Sequence, residues 1–201
     1  MTRYIDTVED LEALYGKPAE ASLIKVADRL TDVYRDWVMA SKFCIISTVG
    51  PEGTDASPRG DATPVVQMYD EQNLLLPDWR GNNRIDTLRN IVRDPRVSLM
   101  FMVPGSNNVV RINGEARLTA DPDILNRFDD RGHLPRSVAV IRIREVYFQC
   151  ARALMRSGLW SGHDESTGLP TPGEMLKAAK SDFDGDTYDA EWAARAEKTL
   201  W

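Results

Sequence analysis

The segment between a predicted strand and a predicted helix contains the side chains that a phosphate site requires. Arg80 and Arg84 stand four residues apart. Asn82 and Asn83 lie between them, at the start of a helix expected over 83–93. The first turn of a helix exposes unpaired N–H groups and a partial positive charge, which favour an anion such as a phosphate monoester. The arginines could add forked, charge-assisted hydrogen bonds. The alternative is a polar loop with a good helix cap and solvated arginines.

A second polar segment, 57–64, lies just before or within a strand that is expected to be apolar. Gly60 lets a ligand approach the backbone closely, and Arg59 could meet a phosphate that Arg84 holds. The alternative is a bulged edge strand whose prolines prevent aggregation. The residues by themselves favour neither interpretation.

Two further arginines have surroundings that suit a ligand. Arg111 is flanked by apolar strand residues, so it either extends to solvent or faces an internal polar group. Arg156 and Trp160 stand four apart and would share one helical face if the helix continues that far. A cation beside an aromatic ring could hold a flavin, and packing against the body of the protein is the alternative.

The sequence gives little support for a metal site, for the common nucleotide-binding motifs or for a nucleophilic catalytic site. Cys44 and Cys150 are far apart, and the two histidines have no ligand spacing, so we expect no metal site. The acidic segment 182–186 departs from the EF-hand pattern. The sequence contains no dinucleotide fingerprint, no P-loop and no nucleophile elbow. We identify no catalytic acid–base pair.

Composition restricts the partners. The chain has 201 residues and a formal net charge of −6, which argues against broad nucleic-acid binding. Its arginines nevertheless cluster at 80–96, 127–144 and 152–156, a distribution that favours a small anionic ligand. No apolar run is long enough to span a membrane, and residues 1–12 lack the apolar core of a signal peptide, so we expect a cytoplasmic protein without membrane contact.

Hydrophobic patterning predicts a mainly β protein with flanking helices (α+β). Helices are expected at 7–15, 23–40, 83–93, 121–128, 173–180 and 187–200, and strands at 43–49, 64–69, 74–76, 97–103, 109–119 and 138–148. Six strands joined mostly by short turns favour a closed or nearly closed antiparallel barrel over a parallel sheet. The strand 109–119 is expected to bulge at Gly114. We divide the chain into an N-terminal helical segment (1–41), a barrel domain (42–162) and a C-terminal helical tail (163–201).

Seven segments in order resemble one family. They are 43–48, 57–61, 76–84, 94–101, 111–116, 152–160 and 173–176. Each motif is weak, but their ordered conjunction over residues 20–180 resembles the pyridoxamine 5'-phosphate oxidase-like superfamily of split barrels, and a bacterial branch of it in particular. The resemblance implies a six-stranded antiparallel split β-barrel that binds flavin mononucleotide (FMN). It also implies a homodimer with two FMN molecules in clefts between the subunits.

The resemblance assigns cofactor-binding residues by motif. Those that line the cofactor along one strand are Arg59, Gly60, Asp61, Ala62 and Thr63. Those near the ring, the ribityl chain and the phosphate are Asp78, Trp79, Arg80, Asn82, Asn83 and Arg84. Those from a facing strand or from the other subunit are Arg111, Arg156, Ser157 and Trp160.

The implied function is an FMN-dependent oxidoreductase that acts on a small molecule. Members that oxidise pyridoxamine phosphate end in a substrate-binding segment with an Arg-x-His element and a terminal Arg-Leu-x-Pro. This chain instead continues as Gly173-Glu174-Met175-Leu176 and ends in Lys198-Thr199-Leu200-Trp201, so that substrate is not implied. One alternative is a non-catalytic flavin-binding protein for storage or sensing. Another is a deazaflavin-dependent reductase on the same fold, whereas the scarcity of histidines disfavours haem.

Overall fold

The computed structural model describes residues 2–129 and 132–199, and its strands form one antiparallel sheet. The strand order is β2-β1-β5-β6-β7-β4-β3. The strands are β1 (Phe43–Gly50), β2 (Gly53–Gly60), β3 (Gln67–Met68), β4 (Asn73–Asp78), β5 (Arg96–Met102), β6 (Val109–Thr119) and β7 (Ser137–Gln149). The predicted mainly β architecture with flanking helices is therefore confirmed.

Helices precede, interrupt and follow the sheet. They are α1 (Val8–Tyr15), α2 (Glu20–Ile24), α3 (Asp32–Met39), α4 (Asp86–Arg93), α5 (Pro122–Leu125), α6 (Arg152–Ser157), α7 (Pro172–Ala179), α8 (Gly185–Ala190) and α9 (Trp192–Thr199), with a 3-10 turn at Asn126–Phe128. Thr7 caps α1, since its Oγ1 accepts the Asp10 N–H at 3.1 Å. None of the helices within the described ranges is long and apolar enough to cross a membrane.

The strand count corrects the prediction of six. The polar sequence of β2 pairs with β1 over all eight residues, while the strand predicted at 64–69 shrinks to Gln67–Met68. As an edge strand β2 has no buried residue, so it lacks the apolar side chains by which hydrophobic patterning detects a strand. The hydrogen-bonded order ends at β2 and β3, so the described residues form an open sheet rather than a closed barrel.

The helix predicted over 23–40 is also wrong, because α2 and α3 are separated by an extended segment. Ala27 forms an antiparallel bridge with Val146, with N···O distances of 3.0 and 2.8 Å. Leu30 is buried, and its N–H donates to the Glu71 carbonyl at 2.8 Å. Beyond the point where Asn73, the first residue of β4, pairs with Arg142, the edge of β7 offers unpaired backbone groups, and satisfying them outweighs continuation of the helix.

The main core lies on one face of the sheet and positions α4, and a smaller cluster of Leu75, Phe128 and Val138 lies on the opposite face at β4 and β7. Alternate residues of β1 and β5 are fully buried, among them Ile46, Leu99 and Phe101. Each buried side chain of this size contributes roughly 1.5–3 kcal/mol. On α4, Asn90 Nδ2 donates to Thr48 Oγ1 at 3.2 Å, and the Thr87 hydroxyl donates to a β2 carboxylate. These polar contacts hold the helix against β1 and β2.

The predicted bulge at Gly114 is confirmed. The register between β6 and β7 shifts between Asn113 and Gly114. A Cβ at Gly114 would collide with the Arg142 carbonyl oxygen. The strands β6 and β7 can therefore approach this closely only because residue 114 has no side chain. In the tail, the helix predicted at 187–200 is divided into α8 and α9. Residue 200 lies outside the described residues.

Candidate functional site

A cleft lies where the ends of β2 and β4 approach each other. Arg59, the penultimate residue of β2, donates from Nη1 to Asp78 Oδ1 at 2.7 Å, and Asp78 ends β4. Both side chains are about one-fifth exposed, at 23% and 20%. Because β2 and β4 are not hydrogen-bonded neighbours, side chains rather than a backbone ladder join the sheet here.

A second contact crosses the same gap. Trp79 Nε1 donates to Asp61 Oδ2 at 3.1 Å. The other oxygen of Asp61 accepts from Thr63 N at 3.2 Å and Thr63 Oγ1 at 3.3 Å, an arrangement that folds the segment after β2 toward the indole. The structure thus brings the two predicted segments together, 59–63 and 78–84.

Two cavities share Arg59, Trp79 and Gly81. The larger, of about 560 Å³, lies beside the indole. It is lined by Pro58, Arg59, Gly60, Asp61, Ala62, Val65, Leu76, Pro77, Trp79, Arg80 and Gly81. The smaller, of about 210 Å³, lies at the start of α4. It is lined by Ser57, Arg59, Asp78, Trp79, Gly81, Asn82, Asn83, Arg84, Ile85, Leu88, Arg136 and Ser137.

Arg136 belongs to this site and was missed from the sequence. Its Nη1 donates to Asn83 Oδ1 at 2.6 Å, and its backbone N–H donates to the Asp78 carbonyl at 3.0 Å. Asn83 has a φ of 61°, a left-handed conformation that is uncommon outside glycine and often occurs at functional sites. Only the arginine cluster at 127–144 pointed to Arg136.

Arg84 lies at the rim of the smaller cavity, and its guanidinium is directed at the carboxylate of Asp86 in the first turn of α4. Its Nε donates to Asp86 Oδ2 at 2.6 Å, and its side chain is 81% exposed. This hydrogen bond lowers the pKa of Asp86 and raises the pKa of Arg84. Asn82 Oδ1 accepts the Arg84 N–H at 2.9 Å, so the loop is braced locally.

Arg59 retains an unused donor. Its Nε is buried and has no hydrogen-bond partner among the described residues. Buried polar atoms are nearly always satisfied, so an orphaned donor at a cleft indicates a missing acceptor. On the neighbouring strand, burial raises the pKa of the Cys44 thiol to about 12, although the Arg59 charge acts in the opposite direction.

The other predicted residues do not line these two cavities. The Arg111 guanidinium lies 5.4 Å from the Tyr147 ring centroid. Trp160 Nε1 donates to the Ser106 carbonyl at 2.8 Å. Arg156 and Trp160 were expected to share a helical face only if the helix continued to Trp160, and α6 ends at Ser157, so they do not. Within residues 2–129 and 132–199, no three His, Cys, Asp or Glu side chains form a metal-binding group.

Comparison with known proteins gives one family match. The sequence model of the pyridoxamine 5'-phosphate oxidase family matches residues 30–150, more than half of the chain. No curated protein matches the sequence.

Two solved structures show a weak similarity to this chain. HupZ from Group A Streptococcus is 15% identical, with a TM-score of 0.48, over 58% of this chain and 91% of its own. General Stress Protein 26 from Bacillus anthracis is 14% identical, with a TM-score of 0.44, over 57% of this chain and 88% of its own. Likenesses this weak carry no argument about function.

Proposed function

Because the chain belongs to the pyridoxamine 5'-phosphate oxidase family, we propose that it binds FMN in the cleft between β2 and β4 and acts as an FMN-dependent oxidoreductase on a small molecule. The observation that carries the proposal is the buried Arg59 Nε, a donor without an acceptor at the junction of the two cavities.

The sizes and charges of the cavities fit the two ends of FMN. The smaller cavity combines guanidinium groups from Arg59, Arg84 and Arg136 at the start of α4, which suits a dianionic phosphate. The larger cavity has an indole wall and falls within the size range of small-molecule sites, as the isoalloxazine ring requires.

FMN, once bound, supplies hydride or electron-pair transfer at its ring. The chain itself binds and orients. Asp78 holds the Arg59 guanidinium in place through a charge-assisted bond, and Asp61 fixes the Trp79 indole as a wall. Arg84 and Arg136, which line the smaller cavity, would neutralise the phosphate. None of these groups needs to act as an acid or a base.

Replacement of Arg84 by alanine tests the phosphate site. We expect FMN to bind roughly 10- to 100-fold more weakly, because a hydrogen bond to a charged group is lost. Arg93 is the matched control, since it ends the same helix and pairs with exposed Glu52 at 2.9 Å. Arg93→Ala should leave the Kd unchanged in a flavin-fluorescence titration, and riboflavin, which lacks the phosphate, should bind both variants equally. Equal losses of FMN affinity in the two variants would place the phosphate elsewhere.

Activity is tested separately from binding. Photoreduced protein should be reoxidised by candidate acceptors faster than free FMN is. Flavin that is bound but inert would indicate a storage or sensing protein. Mass spectrometry of the released cofactor distinguishes FMN from a deazaflavin, and a colourless protein that takes up neither contradicts the whole proposal.

The homodimer belongs to the same proposal. Arg111, Arg156, Ser157 and Trp160 do not line the cavities of their own chain, and a second copy would have to bring them to the cofactor. Symmetric dimers commonly build sites at their interface in this way.

A further inference from the structure

A separate cavity of about 610 Å³ lies on another part of the molecule, between the α2–α3 region and the end of the sheet formed by β6 and β7. It is lined by Ile24, Lys25, Ala27, Thr31, Val33, Tyr34, Trp37, Asn108, Val110 and Phe148. It shares no residue with the two cavities at the β2–β4 cleft. The walls are mostly aliphatic and aromatic, with few polar groups, which is the usual character of a small-molecule site.

The walls are held in place by backbone and hydroxyl contacts. The bridge between Ala27 and Val146 ties the extended segment before α3 to β7. Tyr34 OH donates to the Lys25 carbonyl at 2.7 Å and accepts the Phe148 N–H at 3.3 Å. The cavity therefore exists because the helix predicted over 23–40 is interrupted, and its shape is preformed.

Lys25 provides the positive charge at this cavity. Its Nζ lies 4.9 Å from the Phe148 ring centroid and 5.6 Å from that of Tyr147. Within the described ranges it forms no ion pair. The carboxylates that follow Lys25 in the sequence pair with arginines: Asp28 pairs with Arg29 at 3.1 Å, and Asp32 and Asp36 pair with Arg35 at 2.8 and 2.9 Å. An ammonium without a carboxylate, above two rings, is suited to an anionic ligand.

Thr31 adds an independent indication. It is the N-cap residue of α3, yet its side chain makes no capping hydrogen bond. Its Oγ1 is buried and has no partner among the described residues. A buried hydroxyl without a partner costs free energy, so such groups usually mark the place of a missing water or ligand.

We propose that this cavity binds a small aromatic monocarboxylate, with its ring against Tyr34, Trp37 and Phe148 and its carboxylate received by Lys25 and the Thr31 hydroxyl. Aromatic walls favour a flat ring through offset or edge-to-face contacts. One cation and one hydroxyl match one carboxylate. The site is separate from the FMN cleft and does not depend on the proposed function.

Phenylacetate is the probe, and isothermal titration calorimetry of the full chain is the measurement. We expect saturable binding of one molecule per chain with a Kd of roughly 1 mM or tighter. The neutral counterpart 2-phenylethanol should bind at least about tenfold more weakly, because it lacks the charge. Lys25→Met should remove this preference, whereas Lys177→Met, an exposed lysine on α7, should leave it intact.

Two further variants separate ligand binding from folding and from the flavin site. Thr31→Val should weaken phenylacetate binding while the Tm stays equal or rises, since an orphaned hydroxyl is lost; a purely structural hydroxyl would lower the Tm. Arg84→Ala should not alter phenylacetate binding. The proposal is overturned by equal affinities for the acid and the alcohol, by phenylacetate binding that Lys25→Met does not weaken, or by no binding at all.

Discussion

Arg84 and Asp86 lie on the same turn, so the arginine that is proposed to grip the phosphate is engaged by a carboxylate before any ligand arrives. The Asp86 charge also lies at the helix end where an anion would bind, and like charges there oppose each other. Binding of FMN would have to displace this carboxylate from the guanidinium.

Asp86→Asn should therefore tighten FMN binding roughly two- to fivefold, the scale of a single charge at an exposed helix terminus. Flavin-fluorescence titration at low ionic strength measures it. Asp94→Asn is the control, because Asp94 pairs with Arg96 at 2.5 Å at the other end of α4. Weaker FMN binding by Asp86→Asn would show that the carboxylate supports the site rather than competing for it.

The buried thiol of Cys44 predicts a pH dependence of stability. Its pKa rises from an ordinary 9.0 to about 12 in the folded chain because burial disfavours the thiolate. The unfolded thiol ionises first as the pH rises, so this contribution to stability is complete below pH 9 and is lost progressively toward pH 12.

Cys44→Val keeps a small apolar side chain and removes the ionisable group. Urea unfolding at pH 8 and pH 11 should show that the native chain loses more stability between these values than Cys44→Val does. Cys150→Val, at an exposed cysteine, should behave as the native chain. Identical losses in all three chains would mean that Cys44 does not titrate as described.

At the scale of elements, the C-terminal helices depend on close backbone contact. A Cβ at Gly185 would collide with the Gly173 carbonyl, so α7 and α8 can pack only with glycine at this position. Asp189 completes the contact by accepting the Gly173 N–H at 2.8 Å and the Thr171 hydroxyl. The pairing is therefore specific despite its small size.

Gly185→Ala should destabilise the α7–α8 pair by about 1–3 kcal/mol, the usual cost of overpacking, and leave the sheet intact. Hydrogen exchange would show lost protection in α7 and α8 alone. At Gly81 a Cβ meets open space, so Gly81→Ala should cause no such loss. Loss of protection throughout the sheet in Gly185→Ala would mean that the tail supports the whole fold.

At the scale of the whole molecule, the proposed dimer makes each FMN site depend on two chains. Light scattering should give twice the 22.6 kDa of one chain. Arg84→Ala and Arg111→Ala would each damage both sites of their own homodimer, but a mixed dimer would keep one intact site. Random reassociation of the two variants should restore FMN binding to about a quarter of all sites, as expected for an isologous pair. No recovery, or a monomeric mass, would contradict the shared site.

Much of the fold was predictable because interactions between residues close in sequence determine it. Turn residues and alternating apolar residues predicted the long strands β5 to β7, the Thr7 cap and the bulge at Gly114. In the candidate site, the sequence predicted that Asn82, Asn83 and Arg84 lie just before a helix, and α4 does begin at Asp86; their binding of a ligand stays a prediction.

By itself, then, the sequence determined a mainly β protein of one family and the two segments that meet at the cleft. Only the tertiary structure decided that polar β2 is a strand, that a free edge of β7 interrupts the helix between Ile24 and Asp32, and that Arg136 reaches Asn83 across 53 residues. The interrupted helix and the Arg136 contact depend on hydrogen-bond partners that are distant in the chain, whereas β2 depends on its hairpin pairing with β1 rather than on its own composition. Periodicity and propensity describe only neighbouring residues, so they carry no information about such partners.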